Sequence, residues 1–180
     1  MGASSRQALA AAIDALAAAK DVTVATGEQL MTAGRAVEES SQLRTILGDP
    51  AVPSAEKASL IATIFPGLEK TAAALLSGLV GSRWSSGAEL VDGVEELGVR
   101  AIARGDGNTK AIETELFAFA RIVASDPELE LALGSKLAPG EEKAAIVDRL
   151  LAGKAHRGTL AIVDHLVRSP RGRRIGEMLA

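Results

Sequence analysis

The sequence predicts an all-α protein, and three observations carry that prediction. The 180 residues are 47% apolar, yet they include no Tyr, one Trp and three Phe, so the apolar fraction is mostly Ala, Leu, Ile and Val. Ala and Leu are strong helix formers, and few segments combine aromatic with β-branched residues as strands do. Apolar residues also recur at three- and four-residue spacing along most of the chain, which is the period of a half-buried helix. Finally, the stretch Gln29–Phe65 reappears without a gap 86 positions later, at Glu115–Leu151. Leu30, Arg35, Val37, Leu43, Leu47, Gly48, Pro53, Glu56, Lys57 and Ala58 recur as Leu116, Arg121, Val123, Leu129, Leu133, Gly134, Pro139, Glu142, Lys143 and Ala144. Gly, Pro and Glu-Lys at one fixed offset argue for one helical supersecondary unit used twice.

The first helix spans residues 5–19, with Leu9, Ala12, Ile13 and Leu16 at helical spacing, and it ends at Asp21 and the β-branched Val22-Thr23-Val24. The second starts at Thr26, with Gln29 as a capping-box partner, and buries Leu30, Met31, Ala33 and Val37. Ser40 and Ser41 cap a short third helix that Gly48 stops. Pro53 opens the fourth, whose core face is Leu60, Ile61, Ile64 and Phe65. The fifth, about 68–82, is apolar over much of its surface, so it is central or leaves a face for a partner. The sixth, about 88–104, turns Leu90, Val94, Leu97, Ala101 and Ile102 inward and ends at Gly105-Asp106-Gly107-Asn108.

The second pass repeats this plan. A helix over 110–124 buries Leu116, Phe119, Ala120 and Val123; Ser125 and Glu128 form a capping box; and Leu129, Leu131 and Leu133 follow. Pro139 opens a helix with Ile146, Val147, Leu150 and Leu151 inside. A helix over 157–168 carries Leu160, Ile162, Val163, Leu166 and Val167, and a last helix starts near Arg171. The domains expected are a bundle over 1–105 and a second over 106–180, with the helix 88–104 serving as the opening helix of the second copy as well.

Chemistry is sparse. With no Cys, disulfides, thiolate catalysis and Cys-bound metals are excluded. His156 and His165 are nine residues apart, about 900° around a helix, so they do not share a face or a metal. No HExxH, GxSxG or phosphate-loop pattern occurs. The adjacent carboxylates Glu38-Glu39, Glu95-Glu96 and Glu141-Glu142 point about 100° apart and form no acid/base pair. No catalytic, cofactor or metal residue is expected. The net charge of −3 and the absence of aromatics among basic residues argue against nucleic acid, and no apolar run reaches the roughly 20 residues of a membrane span. Two features invite a partner. Arg168, Arg171, Arg173 and Arg174 form the one basic cluster, and Trp84, beside a turn, is of a residue type enriched in interface hot spots.

The residues also carry a family resemblance. The segment EESSQLRTILGDPAVPSAEKASLIATIF (38–65), followed by AAALLSGLVGSRWSSGAELVDGVEEL (72–97), resembles the N-terminal six-helix domain of the delta subunit of bacterial F-type ATP synthase, the oligomycin-sensitivity-conferring protein family. The resemblance covers residues 5–104, and 110–180 looks like a repeat of that domain, as in actinobacterial delta chains with a duplicated helical part. The family's C-terminal β/α module is absent, and the chain stops at Ala180 within a helical pattern. The resemblance implies a non-catalytic stator subunit, peripheral on the cytoplasmic side of the plasma membrane. It ties the catalytic head to the stalk, with the α subunit's N-terminal helix and the b subunit as partners. It further implies that the groove between the first and fifth helices holds the α-subunit helix. Mapped here, that groove involves Ala8, Ala12, Leu16, Leu75, Leu76, Leu79 and Val80, with Trp84, Arg171, Arg173 and Arg174 as secondary contacts. The competing reading is an unrelated helical adaptor whose partners are amphipathic helices.

Overall fold

The computed structural model describes residues 1–179, and among them every regular element is a helix. The chain divides into two compact units at Gly105/Asp106. The first contains α1 (Ala3–Ala18), α2 (Val24–Glu39), α3 (Ser41–Gly48), α4 (Ser54–Ile64), α5 (Lys70–Gly81) and α6 (Gly87–Asp106), apart from the last residue of α6. The second contains α7 (Thr109–Ser125), α8 (Pro127–Gly134), α9 (Gly140–Leu151), α10 (Arg157–Arg168) and α11 (Ile175–Met178).

In the first unit α5 is central, packing against α1, α2, α3 and α4. Its Leu76, Leu79 and Val80 join Leu30 and Val37 of α2, Leu47 of α3, Ile61 of α4 and Leu90, Val94 and Leu97 of α6 in one apolar cluster. Glycine brings α2 and α6 together. A Cβ on Gly27 would collide with Ile102 and the Gly98 carbonyl, and one on Gly98 with Met31. In the second unit α10 packs on α9, α7 and α11. Its core holds Phe119 and Val123, Leu133, Val147, Ile162, Val163 and Val167.

Three caps differ from expectation. α2 begins at Val24, not Thr26, because Thr23 and Thr26 cap each other. Thr26 N–H donates to Thr23 Oγ1 (3.3 Å) and Thr23 N–H to Thr26 Oγ1 (3.0 Å). This is a capping box with Thr in the place usually held by Glu or Gln. At α8 the cap is Asp126, not Ser125, since Asp126 Oδ1 accepts from the N–H groups of Glu128 and Leu129 (both 3.1 Å) while Ser125 Oγ donates back to Ile122. The last helix starts at Ile175 rather than near Arg171, because Arg171 (φ 49°) and Gly172 (φ 74°) are both left-handed and break the chain there.

Several expected core positions face water. Leu131 is 74% exposed, since a residue two places from Leu129 and Leu133 lies across the helix from both. Ile64 and Leu150 are exposed at 36% each. Leu60, Phe65, Leu116, Ala120, Leu129, Ile146, Leu151 and Leu160 are only partly buried. Buried instead are Lys57 and Lys143, whose stems lie on the core faces of α4 and α9.

The offset of 86 reappears in the elements. α3 and α8 cover equivalent positions, Leu47 and Leu133 are both fully buried, and Pro53 and Pro139 are both N-caps.

Candidate protein-docking surfaces

The seven groove residues named from the sequence all come together along the α1–α5 seam. Ala8, Ala12 and Leu16 recur at four-residue spacing on α1, and their small size at the first two positions lets α5 approach closely. Leu76, Leu79 and Val80 are at most 1% exposed and face the core. Ala8 and Leu75 sit at the edge of the core, and each lines a surface cleft. One cleft, about 440 Å³, is walled by Ala15, Ala18, Ala19, Lys70, Thr71, Ala74 and Leu75; the other, about 230 Å³, by Ser4, Gln7, Ala8, Ala11, Ser82 and Arg83. The accessible face of the seam therefore includes Gln7, Ala11, Ala15 and Ala74, each one position from a residue that the resemblance implied. Apolar spacing finds the side of a helix that is buried, whereas a docking face made of alanines and short polar residues has no such signature.

Trp84 is 4% exposed. Its Nε1–H donates to the Leu79 carbonyl at 2.8 Å, and its ring lies over Gly93, where a Cβ would overlap it. The side chain closes the end of the first unit's core. Arg173 and Arg174, by contrast, line a cleft of about 410 Å³ in the second unit. Arg171 occupies the left-handed turn beside it.

One polar constellation was not anticipated. Glu115, on α7, caps the start of α10. It accepts from His156 N–H (3.0 Å), from His156 Nδ1–H (2.7 Å) and from Thr159 Oγ1–H. Asp106 Oδ2 accepts from Gly158 N–H (2.9 Å) at the same helix start. Burial pushes the Glu115 carboxyl up, but the bonds from Thr159 and His156 outweigh it, and the group titrates below its ordinary value. The hydrogen bond to Glu115 raises His156, against a smaller desolvation effect. The first unit builds the same joint from Gln29, at the equivalent position, whose Oε1 accepts from Glu69 N–H (2.8 Å). The Gln29/Glu115 pair in the repeat was the available signal, but its role depends on which helix start lies opposite.

Among the described residues no group of three His, Cys, Asp or Glu side chains is placed to hold a metal ion, and no helix is long and apolar enough to cross a membrane. The surface features are instead apolar or basic, and large exposed apolar side chains gather in the second unit: Phe117 (63%), Ile122 (51%), Leu131 and Leu137 (96%).

The chain is 46% identical over 180 residues to the ATP synthase subunit delta of Leifsonia xyli subsp. xyli, covering 99% of this chain and 68% of that protein. It is 43% identical over 151 residues to the subunit delta of Acidothermus cellulolyticus (82% and 55%). Against that of Streptomyces griseus subsp. griseus it is 41% identical over 181 residues (96% and 67%). The chain thus spans roughly half to two thirds of the length of these relatives. The family model for the ATP synthase delta (OSCP) subunit matches residues 99–180, from within α6 through the second unit, whereas the resemblance in the sequence was carried by residues 5–104. With identity at this level running through both units, the chain belongs to the ATP synthase delta (OSCP) subunit family.

Proposed function

We propose that this chain is a non-catalytic peripheral-stalk subunit of an F-type ATP synthase, holding the catalytic head against rotation so that rotor torque drives ATP synthesis. The observation that carries this reading is the relationship to subunit delta along nearly the whole chain; membership of that family also displaces the unrelated-adaptor reading. Its partners are the N-terminal helix of an α subunit and the b subunit, and it works peripherally, on the cytoplasmic face of the plasma membrane. The two units are two uses of one helical module, a reading supported by the recurring caps, buried Leu and buried Lys at the 86-residue offset.

The α-subunit helix docks along the α1–α5 seam. What supports this is the pair of clefts at the seam, with small residues on α1 and both Lys70 and Arg83 at the rims. An amphipathic helix laid in such a groove buries anchors at three- and four-residue spacing. The test is titration of the full chain with a synthetic peptide of the α subunit's N-terminal helix. Ala15→Glu and Ala74→Glu, at surface positions, should weaken binding at least about tenfold, or about 1.4 kcal/mol, while helicity stays unchanged. Unchanged affinity in both rejects the seam. The second unit then becomes the docking unit, a reading favoured by its exposed apolar side chains.

A further inference from the structure

The cleft between α8 and the loop 170–175 is a feature of the second unit that the first unit lacks. In the first unit the equivalent surfaces are closed. A Cβ on Gly48, at the end of α3, would lie 3.0 Å from Gly87 Cα, and one on Gly87 would lie 2.9 Å from the Arg44 carbonyl oxygen. Backbone rests on backbone because both residues are glycine. At the 86-residue offset Gly48 becomes Gly134, while α5 and α10 are offset by 87, which sets Gly87 against Arg174. Apart from its chain neighbours and its own helix backbone, nothing lies within 4 Å of a Cβ built on Gly134. The two surfaces stand apart around an opening of about 410 Å³. That is within the range of pockets that enclose ligand groups, about 300–1,000 Å³.

The walls have a definite chemistry. Pro127, Leu131 and Pro170 supply apolar surface, and Leu131 is mostly exposed. Lys136, Arg173 and Arg174 supply cationic groups against Glu130, the one carboxylate among the described lining residues, with Glu177 next to Arg174 accepting from its N–H. This local excess of positive charge occurs on a chain whose net charge is −3. We infer that the cleft between α8 and the loop 170–175 is a docking site for an amphipathic helix of a protein partner that has an aliphatic anchor flanked by carboxylates. The anchor enters between Leu131 and Pro170, and the carboxylates face Lys136 and Arg174. A concave opening favours an inserted side chain over a flat lipid surface, and charge complementarity sets the sign of the partner. The site is independent of the α1–α5 seam and shares no residue with it.

The test uses the full chain and two synthetic amphipathic helices of about 18 residues, five turns. Both carry Leu at three- and four-residue spacing; one has Glu and the other Lys on the flanks. The Glu peptide is expected to bind and to shift the backbone amide resonances of Leu131, Gly134 and Gly172. Leu131→Asp, and separately Arg173→Gly with Arg174→Glu, should each weaken it at least about tenfold. Leu131 is exposed, so its substitution leaves helicity intact. The Lys peptide is expected to bind at least about tenfold more weakly. Equal binding of both peptides, shifts confined to other residues, or no binding of the Glu peptide up to millimolar concentration overturns the proposal. So does binding to phosphatidylglycerol vesicles without binding to the Glu peptide, which would make the cleft a lipid contact. Loss of the α-subunit peptide at the seam leaves this result unaffected, so the two sites fail separately.

Discussion

At the scale of single residues, the interior is governed by a few side chains whose surroundings leave little freedom. Trp84 fills the space that Gly93 leaves open and satisfies its N–H on the Leu79 carbonyl. Gly93→Ala places a methyl group inside the indole and should destabilise the first unit by about 1–3 kcal/mol, the usual cost of overpacking. Because Trp84 is the only tryptophan, its fluorescence in a urea titration reads this loss directly. Lys57 is different. Its stem is buried, and desolvation lowers its pKa, with Asp49 opposing. The stem supplies packing, so Lys57→Met should keep stability within about 1 kcal/mol, whereas Lys57→Ala should cost about 1–2 kcal/mol. A larger loss with Met would show that the ammonium matters more than the stem. The Glu115–His156 joint makes stability depend on pH. His156 is raised above its ordinary 6.5, so its contribution is complete below that value and is lost as pH rises through the folded pKa. Glu115 is lowered from 4.5, so its contribution is present above that value and is lost as pH falls through the folded pKa. The joint's own contribution to stability is therefore fullest between about 4.5 and 6.5, and His156→Gln should remove its decline on the alkaline side, measured as urea midpoints by circular dichroism.

At the scale of elements, the aliphatic composition and helical spacing made the helices legible. The glycine and proline punctuation also located most of their ends. The face of a long helix was legible too: every inward residue expected on α6 is buried. The shorter helices were harder to read. In α8 an apolar residue sits on each side of the helix, and only Leu133 is fully covered, because a two-turn helix touches its unit along one narrow line. Caps depended on local geometry that composition does not reveal, as with Thr26 replacing Glu or Gln in the α2 box. Thr23→Ala removes that cap and should cost about 0.5–2 kcal/mol, visible as a lower midpoint in the Trp84 fluorescence transition. Half of the candidate docking surface was legible. The resemblance pointed to the helices that form the α1–α5 seam, but the residues it implied are mainly buried in the core of the first unit. The cleft beside α8 was foreshadowed only by the arginines, since its opening follows from the pairing of residues far apart in sequence, Gly134 with the loop 170–175.

At the scale of the whole molecule, the two units reuse a similar order of helices with different surfaces. The first has few large exposed apolar side chains and shallow, alanine-lined clefts; the second exposes Phe117, Ile122, Leu131 and Leu137 and carries a basic opening. The proposed stalk role would place a different partner on each of these unlike surfaces. The units also carry separate reporters. His156→Gln should move the circular dichroism transition of the second unit while leaving the Trp84 midpoint within about 0.5 kcal/mol, because the two residues belong to separate compact units. The measurement that tests the stalk-subunit account most directly exploits the absence of cysteine. A single Ala74→Cys, at an exposed position in the seam cleft, is labelled with an environment-sensitive fluorophore and titrated with the N-terminal helix of the ATP synthase α subunit. The account predicts a saturable blue shift at Cys-labelled position 74 and none at a control label on Ala62→Cys of α4, which is exposed and lines neither seam cleft. Binding that leaves the label at 74 unchanged, or no binding at all by a folded chain, would contradict it.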